Sequence, residues 1–124
     1  MADSKLIGKQ IGDPVEMVVE RGKIREFARA TMSHGPDYVD DPEPVSQPTF
    51  LTTVSHWTPP GEGAIGELGI DLQRLLHGGQ SYTFYGPPPR AGTKLTARSK
   101  VEDVYEKEGK RGGTMTFIVM VQEF

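Results

Sequence analysis

The sequence contains no cysteine. Disulfides, thiolate metal sites and a cysteine nucleophile are therefore excluded. An excess of positive charge is also missing: 14 Lys and Arg stand against 17 Asp and Glu, a formal net charge of −3. Nucleic-acid binders usually carry a basic stripe, so that class is not expected. A local basic rim for an anionic ligand stays compatible with this balance. No stretch approaches the roughly 18 apolar residues of a membrane span. The leading MADSKLIGKQ lacks the apolar segment of a signal peptide. A cytoplasmic chain that meets neither membrane nor nucleic acid is the expectation. Turn chemistry is abundant instead, with 15 glycines and 10 prolines among 124 residues. A single domain over residues 1–124, rich in strands rather than a helical bundle, fits these numbers.

Residues 4–13 read as a leading segment closed by the turn Gly12-Asp13-Pro14. Val15, Met17 and Val19 then alternate with Glu16, Val18 and Glu20, which suits a short strand. Ile24, Phe27, Ala28 and Thr31 recur at helical spacing, with Lys23, Arg25, Glu26 and Arg29 largely outside that stripe. Ser33-His34-Gly35-Pro36 ends the helix, Gly35 being suited to a left-handed cap. Residues 37–48 form an acidic, proline-spaced loop without the ligand spacing or turn glycine of a calcium site. TFLTTVSHW at 49–57 is compact and apolar, and reads as a short buried helix with Pro48 at its first turn. Leu72, Leu75 and Leu76 suggest a short helix or turn ending at Gly78-Gly79.

Three strand patterns follow. Residues 80–85 alternate, residues 94–105 carry a polar face, and residues 114–124 put Met115, Phe117, Val119 and Val121 opposite Ile118 and Met120. The last of these is the pattern of a strand covered on both faces. EKEGKRGG at 106–113 is the charged, glycine-rich tip of a hairpin. The order predicts an α+β domain with an antiparallel sheet, and one buried helix lying across that sheet satisfies it.

The run LLHGGQSYTFYGPPPRAGTKLTARSKVEDVYEK, from Leu75 onward, resembles the MaoC-like hydratases and dehydratases. More narrowly, it is similar to the N-terminal half of two-domain 2-enoyl-CoA hydratases and to non-catalytic subunits of heterodimeric dehydratases. A leucine-histidine-glycine stretch leads into an aromatic strand, and a proline pair and an Arg-Ala-Gly turn follow. Gln47-Pro48-Thr49-Phe50-Leu51 resembles the family's Pro-Thr-Phe approach to its central helix. The resemblance covers roughly residues 7–124. It implies a hot-dog fold, in which a curved antiparallel sheet wraps a central helix. It also implies an acyl thioester ligand on coenzyme A or acyl carrier protein, no cofactor, and domains that work in pairs. The family's sheet normally has one strand beyond the last seen here, so the domain is read as one strand short, with the missing pairing open to supply by another chain.

Active members of that family carry an aspartate and a histidine in a short segment after the first helix. Aligned on Pro36, those positions hold Ser33 and Tyr38, and Gly35 replaces an asparagine. Neither replacement titrates usefully near neutral pH. A shifted alignment offers His34 with Asp37 or Asp40 instead. Elsewhere each candidate has a plain structural reading beside a functional one. His77 is a half-buried histidine bonded to a backbone carbonyl, or a ligand contact. His56 and Trp57 end a core helix, or line an acyl tunnel. Tyr82, Phe84 and Tyr85 are strand aromatics, or channel walls. Arg90 and Lys94 are solvated charges, or a basic rim for a phosphate-bearing carrier.

The leading expectation is a non-catalytic, acyl-accommodating subunit of a heteromeric enoyl-thioester hydratase or dehydratase, whose catalytic aspartate and histidine lie on a MaoC-like partner chain. A stand-alone hot-dog hydratase or thioesterase using His34 and Asp40, and an acyl-thioester-binding protein without catalysis, are the alternatives.

Overall fold

Alternating apolar residues build three strands, β1 (Gln10–Val18), β2 (Lys94–Glu108) and β3 (Thr114–Glu123). They form one three-stranded antiparallel sheet in the order β1-β2-β3. The remaining elements are α1 (Arg21–Ala30), α2 (Pro36–Val39), α3 (Ala64–Glu67) and 3-10 segments at Ser4–Leu6, Phe50–Trp57 and Leu72–Arg74. This computed structural model describes residues 4–124. The chain is α+β, as its pattern predicts. It divides into two compact units. One comprises residues 4–15, Pro59–Gln73 and Thr96–Phe124, the other Glu16–Thr58 and Arg74–Leu95.

In the first unit, Ile11, Val101 and Val104 are buried together, with Leu6, Ala64, Leu68, Ile118 and Met120 packed against them. Val101 and Val104 are three positions apart, which places them on opposite faces of a regular strand. They share a face because the register slips by one residue: Val101 pairs with Met120, but Asp103 pairs with Val119. Glu102 is thus the extra residue of a bulge. On the other face Tyr105 stacks on Phe117 with centroids 4.9 Å apart, and Lys107 Nζ lies 5.6 and 5.8 Å from the two ring centres.

Two expectations for this unit are corrected. Gly12-Asp13-Pro14 lies inside β1 rather than forming a turn before it. Gly12 takes φ +63°, and its N–H donates to Glu67 Oε2 at 2.9 Å, so the strand bends without ending. α3, which carries that carboxylate, depends on a close approach: a Cβ on Gly66 would stand 2.4 Å from the Gly61 carbonyl oxygen. Secondly, β3 is not covered on both faces. Every residue in it is half-buried or exposed, and Met115 and Val119 are among the exposed ones.

In the second unit, Met17, Val19, Ile24, Ala28, Phe50, Leu51 and Val54 are buried. Full burial of a side chain of this size contributes roughly 1.5–3 kcal/mol. Phe27 meets Phe50 edge-to-face at 5.6 Å, and Gln47 Nε2 donates to the Ile24 carbonyl at 3.0 Å. The segment predicted as a short buried helix is a 3-10 helix, Phe50–Trp57. Its buried residues are Phe50, Leu51, Thr53 and Val54, pairs spaced by three, which a three-residue turn stacks on one side. The end of α1 also differs from expectation. Ser33 N–H donates to Ala28 O at 2.8 Å and Met32 N–H to Arg29 O at 3.3 Å, with Met32 at φ 58°. This is a Schellman closure whose left-handed residue is Met32, not Gly35, which is extended at φ −63° and ψ 142°.

Residues 80–85, predicted as a strand, form none. Alternation shows where a strand would point its side chains, but a strand also needs a neighbour to pair with. Instead Val45 bridges Arg90, and the Ser46 and Ala91 amides donate to Pro89 and Pro44 carbonyls at 2.9 Å each. The last of the three consecutive prolines, Pro89, therefore accepts from a neighbouring loop. The short helix or turn expected here is a 3-10 turn, Leu72–Arg74, and Leu72, Leu75 and Leu76 are exposed.

Candidate functional site

Every residue singled out from the sequence lies in the second unit. The segment after α1 comes first, because it occupies the positions where the resemblance puts proton-transfer groups. Thr31 Oγ1 donates to the Phe27 carbonyl at 2.8 Å and lies 3.1 Å from Ser33 Oγ. With the threonine proton already committed, the Ser33 hydroxyl donates to Thr31. Ser33 is therefore used twice, by amide and by hydroxyl, to close the helix. Tyr38 is half-buried with its ring edge 3.7 Å from where a Cβ on Gly35 would stand.

His34 and Asp40 are both exposed, and neither side chain has a hydrogen-bond or ion-pair partner among the described residues. A general base is normally tuned and oriented by such neighbours. Among the described residues no group of three His, Asp or Glu side chains is placed to hold a metal ion. No described helix is long and apolar enough to cross a membrane.

A second cluster is built by the Leu75–Leu95 run itself. His77 Nε2 lies 3.1 Å from Gln80 Oε1, and Gln80 Nε2 donates to the Tyr82 hydroxyl oxygen at 2.6 Å. An amide oxygen only accepts, so His77 carries its proton on Nε2. Tyr82 accepts from Gln80 and keeps its own O–H free to donate outward. Its ring stacks on Phe84 at 6.4 Å and 20°. His77 is exposed rather than half-buried, and its partner is a side chain rather than a backbone carbonyl. Tyr85, next in line, is 98% exposed.

His56 and Trp57 close the 3-10 helix at its exposed end. Trp57 is 38% exposed, which corrects its reading as core. Glu26 on α1 has its carboxyl held below the ordinary range, first by a hydrogen bond from Lys23 Nζ at 2.6 Å and by that ammonium's charge, with His56 adding a smaller favourable field. Lys23 is raised by the same pair. The pair is solvent-exposed, so its worth to the fold is small.

Arg90 is neither a free charge nor an open rim. Its Nη1 donates to the Glu43 carbonyl at 2.8 Å and lies 3.8 Å from Asp41 Oδ2. The guanidinium ties down the acidic loop. Lys94, four positions on, is exposed and unpaired among the described residues.

Three further polar groups stand apart from the candidates above. Ser46 Oγ, Gln47 Oε1 and Thr53 Oγ1 are buried and have no hydrogen-bond partner among the described residues. Buried polar atoms are nearly always paired, so each marks a place where a water or ligand atom would be stabilised. The available signal was Ser-Gln directly before the Pro-Thr-Phe run, polar residues abutting an apolar segment.

The description that fits this chain from outside is "FAS1-like, dehydratase domain region", which matches residues 5–124. Individual relatives agree. A UPF0336 protein of Streptomyces coelicolor is 31% identical over 115 residues, spanning 86% of this chain and 76% of its own length. A UPF0336 protein of Streptomyces avermitilis is 33% identical over 118 residues with the same coverage. One from Leifsonia xyli subsp. xyli is 37% identical over 95 residues, 70% of this chain and 63% of its own. With nearly its whole described length matched, and with the sheet and the Leu75–Leu95 cluster laid out as above, this chain belongs to the FAS1-like dehydratase domain family, alongside the UPF0336 proteins.

Proposed function

We propose that this chain is the acyl-accommodating, non-catalytic member of a heteromeric enoyl-thioester hydratase or dehydratase with a hot-dog fold. In that fold Phe50–Trp57 takes the place of the enclosed helix. The observation that carries the reading is the state of Ser33. It stands where the family's proton-transfer carboxylate is expected, and its amide and hydroxyl are both used to close α1. Hydration adds water oxygen to the β-carbon of an enoyl thioester and a proton to the α-carbon. A base, an acid and donors to the enolate-like oxygen are required. Ser33 and Tyr38 put neither a carboxylate nor an imidazole at those positions, so a MaoC-like partner bearing aspartate and histidine supplies the acid and the base.

This chain contributes surface. Trp57 and the stacked Tyr82–Phe84 pair offer apolar walls to an acyl chain, with His56 and His77 beside them. The outward O–H of Tyr82 is a donor suited to a thioester carbonyl. Lys94, with its charge uncommitted among the described residues, is the cation we assign to the carrier end, since Arg90 is engaged by Glu43 and Asp41. The thioester is carried by coenzyme A or acyl carrier protein, in a cytoplasmic setting, and the reaction has no redox step, so it needs no cofactor.

The test is a hydration assay across enoyl-CoA chain lengths with the purified chain alone and after mixing with an Asp/His-bearing hot-dog partner. Turnover only in the mixture, with Trp57→Ala altering the chain-length preference, supports the reading. Robust turnover by the lone chain refutes it.

A further inference from the structure

The first unit holds a cleft of about 250 Å³ lined by Gly8, Gln10, Arg98, Ser99, Lys100, Val121 and Glu123. None of these residues belongs to the acyl-facing cluster. The floor is β2, the middle strand of the sheet; Gly8 and Gln10 come from the β1 side and Val121 and Glu123 from β3. The local pairing fixes this trough. Gly8 N–H donates to Val101 O at 2.8 Å, and Val101 N–H donates to Lys9 O at 2.9 Å. On the other flank Arg98 pairs with Glu123 and Lys100 with Val121.

Arg98 and Lys100 are two positions apart on a strand, so both point to the same face, about 7 Å from each other. Both are exposed, and neither has an ion-pair partner among the described residues. They stand on the face of β2 opposite Val101, whose side chain packs with Ile11 in the core. In a chain of net charge −3, two adjacent unpaired cations in a concave site concentrate positive potential locally. One carboxylate, Glu123, lines the same cleft, which leaves a surplus of one positive charge from these three groups. The volume is below the roughly 300–1,000 Å³ of a site that encloses a drug-sized molecule. An apolar chain would find few partners beside Gln10, Ser99 and the two cations. A compact oxyanion would find a fork of guanidinium donors, an ammonium and an amide.

We propose that this cleft binds a phosphate or diphosphate group, with Arg98 and Lys100 as its ligands and Glu123 as a repulsive neighbour that sets the affinity low. Phosphate binding here is independent of acyl accommodation in the second unit. The group belongs to a free phosphorylated small molecule or to the phosphate end of a thioester carrier, and three probes separate these sources. Pyrophosphate, coenzyme A and phosphate-free pantetheine are titrated by calorimetry into the intact chain at low salt. Pyrophosphate and coenzyme A are expected to bind and pantetheine not to. Coenzyme A binding much more tightly than pyrophosphate identifies the carrier as source; equal binding identifies a free phosphorylated compound.

Arg98→Gln and Lys100→Gln should each weaken pyrophosphate binding about tenfold, the usual scale for one charge-assisted contact. Glu123→Gln should tighten it, and Lys110→Gln at the hairpin tip should leave it unchanged. Binding should also fall as salt rises. Circular dichroism melts of each variant show that the fold is retained. Pyrophosphate binding that survives the Arg98→Gln/Lys100→Gln double change, or no pyrophosphate binding at low salt, overturns the proposal. Because the readout is direct binding, it stands or falls apart from the hydration assay.

Discussion

Met32 sits in the left-handed region at φ 58° while 81% exposed, so no packing recovers the strain of its Cβ there. A non-glycine residue in that conformation costs roughly 1–2 kcal/mol. Met32→Gly should therefore stabilise the protein by about 0.5–1 kcal/mol after the entropy that glycine adds to the unfolded chain. Urea unfolding measures this, and a loss of stability would show that the Schellman closure is not formed. Arg90 is a second residue whose role is local. Its bond to the Glu43 carbonyl and its approach to Asp41 hold the acidic loop where the Ser46 and Ala91 amides are paired. Arg90→Ala should raise hydrogen exchange at those two amides without unfolding the chain. Arg90→Lys should rescue little, because a single ammonium does not reproduce the guanidinium fork. Unchanged exchange in Arg90→Ala would remove Arg90 from that role.

Elements were legible where a short-range period sufficed. Ile24, Phe27, Ala28 and Thr31 mark α1 by spacing alone, and the structure buries Ile24 and Ala28 while Phe27 meets Phe50. The hairpin of β2 and β3 is equally plain, since charged glycine-rich residues separate two alternating runs. Residues 80–85 show the limit. Tyr82, Thr83 and Phe84 alternate as a strand would, but the pairing with residues 44–46 falls further on, at Pro89, Arg90 and Ala91, and no period reports such a long-range pairing. The bulge at Glu102 was hidden for a related reason. Alternation breaks there, and only the register with β3 shows why. Deleting Glu102 should remove the bulge while leaving Val101 and Val104 on one face, so cooperative unfolding should survive with a modest loss. Deleting Tyr105 moves every later residue of β2 to the other face and should abolish the folded hairpin. Thermal melts followed by circular dichroism compare the two, and equal damage would contradict the assigned register.

At the scale of the molecule, the α+β class and the dehydratase family were within reach of the sequence, because the Leu75–Leu95 run is specific. The candidate site was only partly so. The resemblance located His77, Tyr82 and Phe84, and the structure links them through Gln80 and ring stacking. The buried Ser46, Gln47 and Thr53 oxygens, without partners among the described residues, are not legible in the sequence, since burial of a polar group depends on packing that spacing does not encode. The proposed function is a division of labour, in which this chain would shape the site and a partner chain would move the protons. The most direct measurement is kcat for enoyl-CoA hydration by the reconstituted pair, with His34→Ala and Asp40→Ala together on this chain. If the partner chain moves the protons, kcat stays within about twofold of the unaltered pair. A fall on the order of 10²–10⁴, the usual contribution of a general acid or base, would contradict it.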